Sequence, residues 1–137
     1  MPDQAITLSQ ASIHNPNEPR HFMRLKPARR RIRIYFGDSM LAETANAIRL
    51  MEVGKDFYDP VFYIPQEDIQ ANLGQNRKTT HCPLKGDTRY FDLLGTEGSV
   101  LQENIAWCYT ATLEIAAELK GLIAFDPSLI TVVESPS

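Results

Sequence analysis

The chain has 137 residues, of which 43% are hydrophobic and 23% charged, and its formal net charge is -3. This length allows one domain with one core, and the slightly acidic balance gives no reason to expect nucleic acid as a partner. No apolar run approaches the roughly 18 residues of a membrane span, so we expect no membrane association.

The composition divides the chain into a short arm and one folded unit. We interpret residues 1–28 as a polar, partly ordered N-terminal arm and residues 29–137 as a single domain. Met1–Ser12 lacks the basic and apolar regions of a secretory signal, which predicts a cytoplasmic location.

The chain has two cysteines, Cys82 and Cys108, and three histidines. In a reducing compartment the cysteines should be free thiols, and a disulfide between them is the alternative. Their spacing and that of the histidines match no zinc motif, so we expect no metal site. The sequence leaves any cofactor unknown.

Alternating apolar residues predict the first strand of the domain, Arg31 to Phe36. Gly37-Asp38 is typical of a hairpin turn, after which Met40–Thr44 returns as a second strand. The segment Ile48–Val53 also allows a helix, but its short length and the glycine that follows favour a strand. Further strands are predicted at Val61–Ile64, Thr79–Cys82, Thr88–Leu94, Ile105–Tyr109, Leu122–Phe125 and Leu129–Val133.

Two short helices complete the predicted elements. One covers Gln66–Leu73 and ends at Gly74, and the other covers Leu113–Lys120 with Gly121 as its C′ residue. Many short strands separated by turn residues predict a mainly β protein, a compact antiparallel β-sandwich or barrel-like single domain.

Reactive groups are concentrated in Thr80-His81-Cys82-Pro83-Leu84-Lys85-Gly86. A thiol is nucleophilic as its thiolate, which a nearby cation stabilises. Lys85 lies across a turn from Cys82, whereas the side chain of His81 should point to the opposite face of a strand. Cys82 and Lys85 are therefore the candidate catalytic residues. The alternative is a buried, inert thiol beside a solvated turn lysine.

Several segments of the chain form a recurring set of motifs. They are Gly37…Leu41-Ala42-Glu43-Thr44, Leu50…Glu52, Tyr63-Ile64-Pro65…Glu67-Asp68-Ile69, Thr80-His81-Cys82-Pro83-Leu84-Lys85-Gly86…Tyr90, Ala106-Trp107-Cys108-Tyr109 and Gly121-Leu122-Ile123-Ala124-Phe125. With these motifs the chain resembles one bacterial family, called domain of unknown function 427, which carries a nucleotidyltransferase label. The resemblance runs from about Arg31 to Val133 and implies a compact, mainly β domain without an established activity.

Four further residues are candidates for a pocket around this turn. Glu52 interrupts an apolar stretch, where it is either an outward-facing residue of an edge strand or an inward carboxylate that needs a partner, for which Lys85 or Arg49 is available. Trp107 and Tyr109 are two residues apart and share a face of the predicted strand, where they could form a wall for a ligand ring or pack in the core. Tyr63 could likewise contact a ligand ring or pack in the core. The predicted ligand-binding set is Glu52, Tyr63, Lys85, Trp107 and Tyr109.

We therefore expect an unidentified small anionic or aromatic molecule to bind in a polar pocket around Cys82–Lys85. One alternative is an enzyme, acting by group transfer through a Cys82 thiolate or by the labelled nucleotidyl transfer, although no paired carboxylates follow Gly37-Asp38-Ser39 and there is no P-loop. Another is a module without a ligand site that self-associates as a homodimer through a strand edge. The basic residues Arg29–Arg31 and Arg33 are expected to guard such an edge rather than bind phosphates.

Overall fold

Residues 13–15, 18–53, 58–82, 85–112 and 114–136 are described by the structure, a computed structural model of the chain. They form two antiparallel sheets. The strands, in chain order, are β1 (Ile13–Asn15), β2 (Glu18–Pro27), β3 (Arg31–Phe36), β4 (Ser39–Thr44), β5 (Ile48–Val53), β6 (Val61–Ile64), β7 (Leu73–Cys82), β8 (Gly86–Leu94), β9 (Val100–Thr112), β10 (Ile123–Phe125) and β11 (Thr131–Ser135).

The large sheet has eight strands in the order β1-β2-β5-β6-β10-β9-β8-β7, and the small sheet has three in the order β11-β3-β4. This arrangement confirms the predicted mainly β, antiparallel fold. The hairpin between β3 and β4 turns at Gly37, whose φ of 58° lies in the region that glycine adopts without strain. The strand interpretation of Ile48–Val53 is also correct.

The first hydrophobic core lies between the two sheets. Ile32 and Ile34 of β3 are almost fully buried, as their alternation predicts, and they pack in one cluster with Phe62, Ile64 and Phe125 of the large sheet. Arg49 joins the sheets at the edge of this core, because it pairs with Glu134 of β11 and its guanidinium carbon lies 5.1 Å from the centre of the Phe62 ring.

A second core covers the opposite face of the large sheet, which we call the site face. Its buried residues come from β2, β5, β6, β9, β10 and the segment after β9; they are Met23, Leu50, Tyr63, Tyr109, Leu119 and Ala124. The middle of the large sheet is therefore buried on both faces, and consecutive residues of β6 are all buried from Phe62 to Ile64.

The large sheet is strongly curled over the site face. Glu52 of β5 contacts Lys85, which immediately precedes β8, although β6, β10 and β9 lie between these two strands. In a flat sheet about 19 Å would separate β5 from β8, which is more than two side chains can bridge. The curvature brings residues from distant strands to one place and is the barrel-like element of the fold.

Both predicted helices are wrong in extent. The first is a single 3₁₀ turn at Gln66–Asp68, and Leu73 already begins β7. The backbone amides of Gln70 and Ala71 donate to the carbonyl of Leu41 instead of continuing a helix, because the segment docks on β4. The second is a 3₁₀ helix at Glu114–Leu119, while Leu113 lies outside the described residues.

Residues 18–27 belong to the predicted arm, and here they form β2. Along Phe22–Pro27 this strand pairs with β5, and Met23 is completely buried in the second core. The predicted domain boundary at residue 28 thus has a strand of the large sheet on its N-terminal side. A boundary at this position stays a prediction.

Candidate functional site

A cavity of about 280 Å³ opens on the site face where the curled sheet approaches itself. Its walls combine apolar, aromatic and charged side chains from β5, β6, β9 and three connecting segments. The lining residues are Leu50, Glu52, Tyr58, Asp59, Val61, Tyr63, Lys85, Trp107 and Pro127.

An ion pair forms one wall of this cavity. The Nζ atom of Lys85 donates to Oε1 of Glu52 at 2.6 Å, and the two side chains are only 9% and 12% exposed. A charge at this depth is costly unless it is paired, so each residue makes the burial of the other possible. Of the two partners that the sequence offers Glu52, the structure selects Lys85, since Arg49 points to the other face and pairs with Glu134.

The turn between β7 and β8 places Lys85. The backbone amide of Lys85 donates to the carbonyl of Cys82 at 3.2 Å, which closes the turn. Gly86 follows with a φ of 110°, and a Cβ atom there would collide with the carbonyl oxygen of Ala111 on β9. Gly86 therefore permits both the backbone conformation and the close approach to β9. Pro83 and Leu84 lie outside the described residues.

The electrostatic surroundings keep Lys85 charged. Burial lowers the pKa of its ammonium, but the interactions with Tyr109 and Glu52 raise it by more, so the pKa lies above the ordinary value of 10.5. The ammonium also lies 5.5 Å from the centre of the Tyr109 ring. Lys85 is thus a permanent cation near neutral pH, suited to donating hydrogen bonds and not to acting as an amine nucleophile.

Two aromatic residues form a second wall, and a small residue between them sets their spacing. Ala124 of β10 is paired with Tyr63 of β6 on one side and with Trp107 of β9 on the other. Because Ala124 leaves the space above it free, the indole Nε1–H of Trp107 donates to the hydroxyl of Tyr63 at 3.1 Å. This hydrogen bond fixes the orientation of the indole ring at the cavity.

Tyr109 lies beneath the ion pair and packs against Tyr63. Their ring centres are 6.2 Å apart with an interplanar angle of 35°. Burial raises the pKa of Tyr109 above 10.0, and the nearby ammonium of Lys85 partly opposes this change. Burial raises the pKa of Tyr63 well above 10.0, and the electrostatic interaction with Tyr109 adds to the effect. Both phenols are therefore neutral hydrogen-bonding groups across the physiological range.

Both cysteines are free thiols. Cys82 is partly buried and packs against the second core, and it is not among the residues that line the cavity. Cys108 lies on the opposite face in the first core, where burial raises the pKa of its thiol. His81 is 61% exposed and pairs with Asp87 through Nδ1 at 2.8 Å, away from the cavity as predicted.

Four of the residues singled out from the sequence meet at the cavity: Glu52, Tyr63, Lys85 and Trp107. Tyr109 is buried behind them, and Cys82 lies nearby in the turn. The sequence analysis missed Tyr58 and Asp59, which line the mouth. Their position in the short connection between the predicted strand that holds Glu52 and the next one is the signal that would have found them.

Among the residues that the structure describes, no three His, Cys, Asp or Glu side chains lie close enough together to hold a metal ion. The same part of the chain contains no helix with the length and apolar composition needed to traverse a bilayer. Arg31 and Arg33 lie on β3, the central strand of the small sheet, so the expectation that they guard a strand edge is wrong. Both approach Glu43, with nitrogen–oxygen distances of 3.8 and 2.6 Å.

Fold and cavity together define a mainly β domain with a buried ion pair and aromatic residues around one opening. A family model described as Domain of unknown function (DUF427) matches residues 24–135, most of the chain. The protein therefore belongs to this family, as the sequence motifs indicated. The comparison with curated proteins finds no match.

Proposed function

We propose that this domain binds a small molecule with an aromatic ring in the cavity of the site face. The observation that carries the proposal is the convergence of an oriented indole, two tyrosines and a buried ion pair on one opening. Ligand sites typically combine a mostly apolar or aromatic lining with a few fixed polar groups.

The size of the cavity limits the ligand. Its volume of about 280 Å³ lies just below the ~300 Å³ at which the range for small-molecule sites begins. One or two fused rings with short substituents fit such a volume. A larger molecule would have to extend out of the mouth, past Tyr58, which is 50% exposed.

The aromatic wall supports ring stacking. The indole N–H of Trp107 is already engaged by Tyr63, so Trp107 offers a ligand its ring surface and not its donor. Aromatic pairs of this kind contribute about 0.5–1.5 kcal/mol beyond the burial of their area. Because the hydrogen bond and the packing hold the indole in place, little conformational entropy is lost when a ring binds.

The ion pair supports recognition of a polar ring edge. An ammonium has three donors, and Lys85 gives one of them to Glu52. A ring edge that carries an acceptor, as in a nitrogen heterocycle, complements the ammonium of Lys85. Such a ligand would bind without breaking the ion pair between Lys85 and Glu52.

The charges that line the cavity favour an aromatic ligand over an anionic one. Glu52 and Asp59 are both in the wall, Lys85 is its one cation among the described residues, and Asp59 makes no ion pair with a residue that the structure describes. An anion inside the cavity would therefore approach two carboxylates and compete with Glu52 for Lys85.

A thermal-shift panel of aromatic and heteroaromatic metabolites tests this proposal. Some members should raise the melting temperature of the wild type, and Val61→Phe, which fills the cavity from β6, should abolish the effect. Val133→Phe is the matched control, because Val133 is exposed on β11 and does not line the cavity. No stabilisation by any member, or equal stabilisation of Val61→Phe, would contradict the proposal.

Group transfer through Cys82 is a second candidate, favoured by the proximity of its thiol to the ammonium of Lys85. The reagent would have to reach a partly buried sulfur beside the cavity. Alkylation of Cys82 much faster than that of free cysteine at neutral pH would support this candidate, and a rate no faster than free cysteine would contradict it.

Nucleotidyl transfer, self-association and a cytoplasmic location stay predictions from the sequence. The first would show as metal-dependent turnover of nucleoside triphosphates. The second would show as a dimer in solution together with no stabilisation by any compound in the panel, for which the edge strand β7 offers a pairing surface.

A further inference from the structure

The aromatic surface of the site face continues beyond the cavity. Tyr90 of β8 is paired directly with Trp107 of β9, and their ring centres are 6.4 Å apart. Tyr90 does not line the cavity, and both rings are partly exposed. A ligand ring against Trp107 would therefore have Tyr90 as its next neighbour towards the edge of the sheet.

A cation lies at the end of this surface. The ammonium of Lys78, on the edge strand β7, is 4.4 Å from the centre of the Tyr90 ring. Tyr90 is held in place from the same strand, since its hydroxyl shares a hydrogen bond of 3.0 Å with Thr80. Lys78 is exposed and makes no ion pair with any residue that the structure describes. The ring keeps the ammonium near the site face without neutralising it.

The surroundings of Lys78 leave this charge available. Lys78 also lines a shallow polar hollow that includes Arg77, Asp92 and Glu103, and no ion pair joins Lys78 to either of these two described carboxylates. Asp92 is already engaged, because its Oδ1 atom accepts hydrogen bonds from the Asn76 side chain at 2.7 Å and from the Asn104 amide at 3.0 Å. Lys78 is thus the cation that adjoins the aromatic surface, while the acidic residues of the cavity lie beyond Trp107.

We propose that the ligand of this domain has an anionic arm, and that Lys78 binds its anionic group while the ring occupies the cavity. The inference rests on the proposed function and adds a second subsite to it. The sequence predicts an anionic or aromatic ligand, and this arrangement places the anionic group of the ligand outside the acidic cavity. The ammonium is no further from the indole centre than the two distances of 6.4 and 4.4 Å placed end to end, so the arm has to run from the cavity past Trp107 and Tyr90 to reach it.

Three probes with one ring and different ends test the inference: 4-phenylbutyrate, 4-phenylbutanamide and 4-phenylbutylamine. Trp107 is the sole tryptophan, so its fluorescence reports binding beside it. The carboxylate should bind about two- to fivefold more tightly than the amide, as expected for an exposed ion pair, and the amine should bind most weakly. High salt should reduce these differences.

Substitutions of the exposed Lys78 then test whether its charge causes the preference for the carboxylate. Lys78→Gln should make the affinities of carboxylate and amide equal, and Lys78→Glu should reverse their order. Arg77→Gln is the matched control, because it removes the same charge from the neighbouring residue of the same hollow without touching Tyr90. It should retain the preference for the carboxylate.

The outcomes separate the two proposals. Binding of all three probes with equal affinity, or a preference that Arg77→Gln abolishes as completely as Lys78→Gln, would overturn the role of Lys78 and leave the aromatic cavity standing. Failure of all three probes to bind would overturn the proposed function, and the second subsite with it.

Discussion

Lys85 and Glu52 are 33 residues apart in the chain, yet their side chains meet at 2.6 Å across the face of a curled eight-stranded sheet. The contact closes the site face between β5 and the start of β8. It gives the cavity a polar wall whose two charges depend on each other. The first prediction follows from this dependence.

Removing either member of the pair alone should be strongly destabilising, because the other charge is left buried without its partner. We expect Lys85→Met and Glu52→Leu each to lower the free energy of unfolding by about 3 kcal/mol. The double variant replaces the pair by apolar side chains and should lie within about 1 kcal/mol of the wild type. Urea denaturation measures all four proteins, and additive losses in the double variant would show that the residues do not act as a pair.

The hydrogen bond from Trp107 to Tyr63 should be measurable by itself. Tyr63→Phe removes the acceptor of the indole N–H and should cost about 1–2 kcal/mol of stability. It should also shift the one indole N–H signal of the protein and accelerate its exchange with solvent. Tyr90→Phe is the control, since it removes only an exposed hydrogen bond and should change stability by less than about 0.5 kcal/mol. An unchanged indole signal in Tyr63→Phe would contradict the geometry.

Stability should fall in alkaline solution. In the folded protein the pKa values of Lys85, Tyr63 and Tyr109 all lie above their ordinary values, which are 10.5 for the lysine and 10.0 for each tyrosine. Each group therefore holds its proton more tightly in the folded state. Its contribution is complete below the ordinary pKa and is lost as the pH rises through the folded pKa. Urea denaturation between about pH 8 and pH 11 should show this loss above about pH 10, with a shallower fall in Tyr63→Phe. Stability that stays constant to pH 11 would be incompatible with these shifts.

Two glycines with positive φ offer a matched comparison of turn geometry. Gly86→Ala forces a Cβ atom into the backbone of β9 as well as straining φ, so we expect a loss of about 3 kcal/mol or more. Gly37→Ala strains φ but meets nothing within 4 Å, so a loss of about 1 kcal/mol is expected. Thermal denaturation compares the two variants. Equal losses would mean that the approach of the Lys85 turn to β9 is not as close as described.

Local patterns in the sequence account for most of the strands. The alternation in Arg31–Phe36 and the turn at Gly37 give the first hairpin, and each later predicted strand overlaps an observed one. The start of β7 at Leu73 was missed because a bulge between Gln75 and Thr79 is held by Asn76, which reaches Asp92 and Asn104 on other strands. Such long-range contacts leave no local periodicity.

The site was predictable in its residue types more than in its contacts. In the sequence Glu52 stands out as a carboxylate in an apolar stretch, Lys85 as a cation across a turn from Cys82, and Trp107 as an aromatic residue two positions before Tyr109. The choice of Lys85 over Arg49 as the partner of Glu52 depends on the curl of the sheet, which no short segment encodes. The spacing of Tyr63 and Trp107 depends on Ala124, a residue without any functional signature of its own.

The indole N–H signal of Trp107 tests the central claim most directly, because the protein has a single tryptophan and its ring lines the cavity. Nuclear magnetic resonance of the ¹⁵N-labelled protein should show this signal moving in a saturable way on addition of a small heteroaromatic compound. In Val61→Phe the movement should disappear, while in Val133→Phe it should persist. A signal that no aromatic compound shifts at millimolar concentration would contradict the account.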